Sequence, residues 1–252
     1  MRFKFVLEYD GTDYHGWQVQ PNGRTIQAVL QAAIVQMTGE STAVVAAGRT
    51  DAGVHASGQV ISFSLQRMVP AETLLRGLNA LTPRDICLRS VAVVSDDFDP
   101  RRAARSRLYV YRIWNARWLS PFWRRYAWHV PRQLDDEHMR AAVAHLIGEH
   151  DFSSFQAAGC EAKHPVRRVL RSELARSGDL LTYTIAANGF LRHMVRNVIG
   201  TLVEVGSGSR SADNLPQLLA ARDRRQAGAT APACGLCLTE VNYERADIAA
   251  KR

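Results

Sequence analysis

Apolar and polar residues alternate along Phe3 to Tyr9, which sets Phe3, Phe5, Leu7 and Tyr9 on one face of a strand. From Thr25 the spacing becomes helical: Ile26, Val29, Leu30, Ala33, Ile34 and Met37 form a single stripe that Gly39 ends. The apolar run Ala43 to Ala47 reads as a buried strand. Gln59 to Leu65 reads as another, with Ile61, Phe63 and Leu65 alternating against Ser62 and Ser64. Pro70 to Leu81 predicts a helix closed before Pro83, and Ile86 to Val94 a strand. Ser95 to Pro100 is polar and acidic and ends in proline, a linker signal that divides residues 1–100 from residues 101–252.

The second half repeats this alternation of elements. Leu108 to Trp114 predicts a strand with Tyr109, Tyr111 and Ile113 on one side. Asp135 opens a helix with an acidic first turn, a stripe of Met139, Val143, Leu146 and Ile147, and Gly148 as its stop. Val169 to Leu174 and Leu180 to Ala187 flank the hairpin signal Ser177-Gly178-Asp179. Leu191 to Val205 predicts a strongly apolar helix, Leu215 to Arg222 a shorter one, and Leu236 to Tyr243 a closing strand. Strands joined by hairpins, with helices on one face, define an α+β class built on mainly antiparallel sheets. There is no internal sequence repeat.

Length and charge narrow the partners. The 252 residues suffice for one large or two modest cores. A formal charge of +8, carried mostly by arginine, points to a polyanion such as a nucleic-acid backbone. Arg101, Arg102, Arg105 and Arg107 follow the linker and read as a phosphate-contacting cluster. No apolar run is long enough to span a bilayer, and the first strand meets charge too soon for a signal peptide. The expected location is therefore cytoplasmic, without membrane contact and with reduced thiols. Cys234 and Cys237 have metal-clip spacing that Cys160 and His164 would complete. No second cysteine pair exists, however, and the closing strand takes Cys237 into a sheet, so free thiols and no metal are expected.

The chemistry concentrates in Gly48-Arg49-Thr50-Asp51-Ala52-Gly53-Val54-His55. Two glycines let this backbone turn tightly between two strands, with a carboxylate and a guanidinium on the turn. Turn chemistry alone would use Asp51 equally well as a backbone cap. The whole string, however, resembles the active-site motif of the tRNA pseudouridine synthase A (TruA) family, in which this aspartate is essential. The likeness extends through Glu8 to Gln18, Arg107 to Arg112, Asp151 to Phe155 and His193 to Asn197, in family order and over nearly the full chain.

The resemblance implies two similar α/β halves joined edge to edge, an active-site cleft between them, and a homodimer. It implies isomerisation of uridine to pseudouridine in the tRNA anticodon stem-loop, at positions 38, 39 and 40, without cofactor. Asp51 matches the catalytic carboxylate, Arg196 its basic partner, and Tyr109 the tyrosine that stacks on uracil and takes the C5 proton. Arg49 matches the residue that enters the stem, His55 a backbone contact, and Leu236 a position packed beneath the site. Each has a plainer reading beside it. Arg192 and Arg196 are solvated on a helix flank, Tyr109 is core like Tyr111, and His55 is satisfied by carbonyls. Arg107-Leu108 departs from relatives that often carry two basic residues there.

Two other classes remain open on sequence. One is an RNA-binding module stacking bases on Tyr14, Trp17, Tyr109 and Trp114. The other is a hydrolase of the glycosidic bond, which commonly needs a second carboxylate; local sequence fixes none beside Asp51, and Asp10 and Asp13 stay open.

Overall fold

A computed structural model of the chain describes residues 1–160 and 162–243. Residue 161 and residues 244–252, the end of the expected second half, lie outside the described residues. The described chain forms two compact units, one of residues 1–105 with the strand from Cys237 onward, the other of Ser106–Leu236. The elements are α+β and the pairing mostly antiparallel.

In the first unit β1 (Arg2–Tyr9) lies between β3 (His55–Ser64) and β4 (Ile86–Val94), antiparallel to both. β10 (Leu236–Asn242) runs parallel to β3 through Cys237↔His55 and Leu238↔Ala56. The two-residue β2 (Val45–Ala46) pairs with β3. The alternation read for β1 is realised, since Phe3, Phe5, Leu7 and Tyr9 are buried. Phe5 stacks on Phe63 with centroids 5.3 Å apart. α1 (Ile26–Thr38) is capped at its start by the Thr25 hydroxyl, which accepts from the Ala28 N–H, and Gly39 ends it in the left-handed region. α2 (Ala71–Leu81) packs along β4. There Asn79 bonds both the carbonyl and the N–H of Leu88, each at 2.8 Å, opposite the bulge where β1–β4 register shifts. The alternation read for β3 is only half right, because Ser62 is buried too. Its hydroxyl accepts from the Arg2 guanidinium, so the polar face is covered at Ser62, while Ser64 stays exposed as read.

In the second unit the strands run β5 (Ser106–Trp114), β9 (Leu180–Ala187), β8 (Val166–Ser177), β7 (Gly148–Asp151), with β6 (Trp128–His129) parallel to β5. Tyr109, Tyr111 and Ile113 share the buried face of β5. α3 (Asp136–Ala144) begins where its cap Asp135 accepts from the Glu137 and His138 N–H groups. It stops before the predicted stripe does: Leu146 is buried beyond its end, Ile147 is exposed, and Gly148 opens β7 at φ 109°. α4 (Met194–Gly206) starts three residues later than periodicity predicts, because His193 takes φ 60° and breaks the run. α5 (Asn214–Ala221) follows, and Arg222 ends it at φ 50°.

Candidate active site

The Asp51 loop is built by its neighbours in the first unit. Val54 N–H bonds the Asp51 carbonyl at 3.1 Å, closing a turn whose third residue, Gly53, has φ 77°. That conformation suits glycine and strains other residues. The loop also lies directly on the Asp10–Trp17 segment, so two strings far apart in sequence form one structure. Trp17 N–H donates to the Thr50 carbonyl at 3.0 Å, and Gly53 N–H to the Tyr14 carbonyl at 3.2 Å. A Cβ on Gly16 would stand 2.7 Å from the Thr50 carbonyl oxygen, and one on Gly11 would stand 2.0 Å from that of Val54. Only bare backbone permits these approaches.

The shoulders of the loop are pinned by buried polar side chains. The Tyr9 and Thr50 hydroxyls meet at 2.8 Å, and burial pushes the Tyr9 phenol up to about 12. Gln59, fully buried on β3, donates its amide to the Gly48 carbonyl at 2.7 Å. Between these pins Asp51 is half-buried and Arg49 exposed. His55 is buried at the start of β3, where its Nδ1 lies 3.1 Å from the Gly11 nitrogen and 3.2 Å from Asp10 Oδ1. The same Asp10 oxygen accepts from the Thr12 N–H and hydroxyl, so Asp10 shapes its own turn.

The remaining predicted residues lie in or at the edge of the second unit. Tyr109 is buried on β5, with its ring edge-on to Phe190 at 5.0 Å and 82°. Tyr111, two residues on, is fully buried; its hydroxyl donates to the Pro232 carbonyl at 2.8 Å, and burial raises its pKa well above the ordinary value. The two arginines are unlike each other. Arg196, half-buried in the first turn of α4, donates from Nε to the Ala231 carbonyl at 2.7 Å, while Ala231 N–H returns a bond to the Arg196 carbonyl. Arg192 precedes the helix and is exposed, with its Nη1 bonded to the Ala158 carbonyl. Leu236 is buried as the first residue of β10.

Sequence reasoning gave no role to Tyr9, Thr50 or Gln59, yet these hold the loop. The signal available was a glutamine at the head of a β-rich run, an unusual choice unless its amide is satisfied inside. Among the described residues no group of three or more His, Cys, Asp or Glu side chains is arranged to hold a metal. The four cysteines are free thiols. No described helix is long and apolar enough to cross a membrane.

This is an α+β chain that mounts one carboxylate on a doubly pinned turn. Comparison with known proteins makes this specific. The sequence profile of the tRNA pseudouridine synthase family matches residues 6–101 and 142–244, taking in Asp51, Arg196 and Leu236 and leaving Tyr109 between the matched segments. The chain belongs to that family. It is 49% identical over 243 residues to tRNA pseudouridine synthase A of Myxococcus xanthus, covering 96% of this chain and 92% of that one. It is 46% identical over 242 residues to the protein of that name from Geotalea uraniireducens (strain Rf4), covering 96% and 99%. To the one from Moorella thermoacetica it is 47% identical over 242 residues, covering 95% and 98%.

Proposed function

We propose that this protein isomerises uridine to pseudouridine in tRNA, and that its targets are positions 38, 39 and 40 of the anticodon stem-loop. The reaction breaks the bond from C1′ to N1, turns the uracil, and joins C1′ to C5. The C5 proton leaves to a base and N1 ends protonated, so no atom is lost and no oxidant or cofactor is consumed. The target base has to leave its stack to be reached.

Asp51 is the group that acts at the sugar, as nucleophile or as base. The observation that carries this reading is the pinned turn. A carboxylate held half-exposed between Tyr9–Thr50 and Gln59–Gly48 bonds starts each turnover already oriented. Arg196 is the cation proposed to keep Asp51 ionised. It is half-buried with its Nε tied to the Ala231 carbonyl, whereas Arg192 is exposed and bonds the Ala158 carbonyl through Nη1. Tyr109 is proposed to stack on the uracil and take the C5 proton. The Tyr111 hydroxyl is spent on the Pro232 carbonyl, which argues against Tyr111 for that role.

Arg49, exposed on the loop, is proposed to enter the stem and fill the space of the displaced base. His55 contributes through the loop it backs, and Leu236 through packing beneath the site. The proposal further includes a cytoplasmic homodimer, which the family likeness supports. The test is tritium release from tRNA labelled at uridine C5. Stoichiometric release with pseudouridine in the digested RNA is expected; release of free uracil instead would assign the chain to glycosidic hydrolysis.

A further inference from the structure

Of the strings singled out in the sequence, Asp151 to Phe155 has no part in the proposed chemistry, and His193 to Asn197 supplies only Arg196. Within the second unit the two strings meet at Asn197. This asparagine is fully buried, one residue along α4 from Arg196. Its Nδ2 donates to the Phe155 carbonyl at 2.8 Å. Its Oδ1 accepts from Arg224 Nη2 at 3.0 Å and from the Thr230 hydroxyl at 2.6 Å. A guanidinium can only donate and a carbonyl only accept, so these partners fix which way the amide points. The Thr230 hydrogen therefore lies on the bond to Oδ1.

The other string seats Arg224. Ser154 is fully buried, and its hydroxyl donates to the Leu218 carbonyl and accepts from the Asp223 N–H at 2.9 Å. Arg224, the next residue, bonds Asn197 with one nitrogen and the Ala227 carbonyl with the other, the latter at 3.1 Å.

What this group holds is the stretch from Ala227 to Pro232. It belongs to no helix or strand, so its place is set by bonds to the elements around it. Gly228 N–H donates to the Thr201 hydroxyl at 2.9 Å. A Cβ on Gly200 would stand 1.6 Å from the Ala229 carbonyl oxygen, so the stretch lies flush on α4. At its far end the Pro232 carbonyl takes the Tyr111 hydroxyl. Between these ties, Ala231 is bonded to Arg196 through both its N–H and its carbonyl. A guanidinium tied through Nε is placed only as well as the carbonyl that ties it.

Thr230 adjoins that carbonyl. It is exposed, yet it spends its hydroxyl on a buried partner. Stability gives little reason for this. An exposed hydroxyl bonds water almost as well, and Asn197 Oδ1 keeps Arg224 as a donor without it. What the bond does supply is a fixed backbone at the residue before Ala231.

We infer that the Asn197–Thr230 pair positions Arg196: the bond fixes Thr230, Thr230 fixes the Ala231 carbonyl, and that carbonyl sets the guanidinium. The role is placement, and neither residue is assigned a bond to the substrate. The inference deepens the proposed function and rests on its assignment of Arg196 as the cation that keeps Asp51 ionised.

The test uses the full chain. Asn197→Ala would also strip Arg224 and the Phe155 carbonyl of a partner and so lower the melting temperature, which makes Thr230 the cleaner site. Thr230→Val keeps the branched shape and loses the hydroxyl. It is expected to lower kcat about tenfold, with KM and melting temperature near wild type. Thr230→Ser keeps the hydroxyl and restores kcat. Added to Arg196→Ala, Thr230→Val is expected to cause no further loss in single-turnover rate, because its route to the chemistry is gone. A second readout needs no substrate: hydrogen exchange at Arg196 Nε, followed by NMR on protein carrying 15N-arginine. Exchange about tenfold faster in Thr230→Val than in wild type is expected. Wild-type kcat in Thr230→Val overturns the inference, as does an equal loss in the Arg196→Ala background or unchanged exchange at Nε. A wild-type chain that makes no pseudouridine, with the exchange difference intact, overturns the proposed function instead.

Discussion

The Tyr9 hydroxyl and the Thr50 hydroxyl share a buried hydrogen bond of 2.8 Å, so the last residue of β1 holds the residue next to Asp51. Tyr9→Phe keeps the ring and removes only this bond. It is expected to cost about 1 kcal/mol of stability and to lower kcat with KM little changed, since the loop loses orientation rather than its phosphate contacts. Thermal melting and steady-state kinetics on tRNA check both halves.

The same residue carries a pH signature. Unfolded, its phenol ionises near 10.0; folded, burial holds it to about 12. Stability from Tyr9 is therefore complete below pH 10 and falls as pH rises toward 12, because only the unfolded chain gains by ionising. Tyr14, Tyr111 and Tyr183 are raised in the same direction, chiefly by burial. Denaturant midpoints measured from pH 9 to 12 should fall in wild type. In Tyr9→Phe the fall should be shallower by roughly 2 to 3 kcal/mol.

Asp51→Asn should reduce isomerisation by about 10⁴-fold or more, while tRNA affinity stays within a small factor. The carboxylate is assigned to bond making, and affinity to distributed phosphate contacts. Turnover by a preparation free of wild-type enzyme would remove Asp51 from the chemistry.

Arg196→Ala should lower kcat by about 10²-fold, against little change for Arg192→Ala. The asymmetry follows from the structure, in which one guanidinium is half-buried and anchored to Ala231 and the other is exposed. Equal, small losses in single-turnover assays would make both arginines surface charges.

Tyr109→Phe should bind tRNA normally and turn over about 10²-fold or more slowly, since it lacks the hydroxyl proposed to move the C5 proton. Tyr111→Phe should show the reverse. Its hydroxyl satisfies the Pro232 carbonyl, so the change costs about 1 to 3 kcal/mol of stability and leaves turnover near wild type. If Tyr111→Phe melts normally and is inactive, the tyrosine roles are exchanged.

What was legible in the sequence was the part written locally. Phe3, Phe5, Leu7 and Tyr9 announce β1 by alternation, and Thr25 and Gly39 bound α1 by cap chemistry. Elements failed where a backbone angle overrode a side-chain pattern. His193 at φ 60° delays α4, and Leu146 and Ile147 prolong an apolar stripe past the last turn of α3. β6 is too short to show any period. The site divided in the same way. The string around Asp51 is contiguous and could be read. The hydrogen bonds from Tyr9 and Gln59 join residues 41 and 11 positions apart, and no local signal encodes such pairings.

The seating of the Asp51 turn on the Asp10–Trp17 segment has a consequence for transplantation. With Gly16 and Gly11 pressed against the carbonyls of Thr50 and Val54, each stretch, though it closes its own turn, is shaped to fit the other. A chimera receiving Gly48–His55 from a relative inherits a carboxylate whose floor was cut for a different chain. The smallest exchangeable cassette is both stretches together, with Tyr9 and Gln59 at their borders.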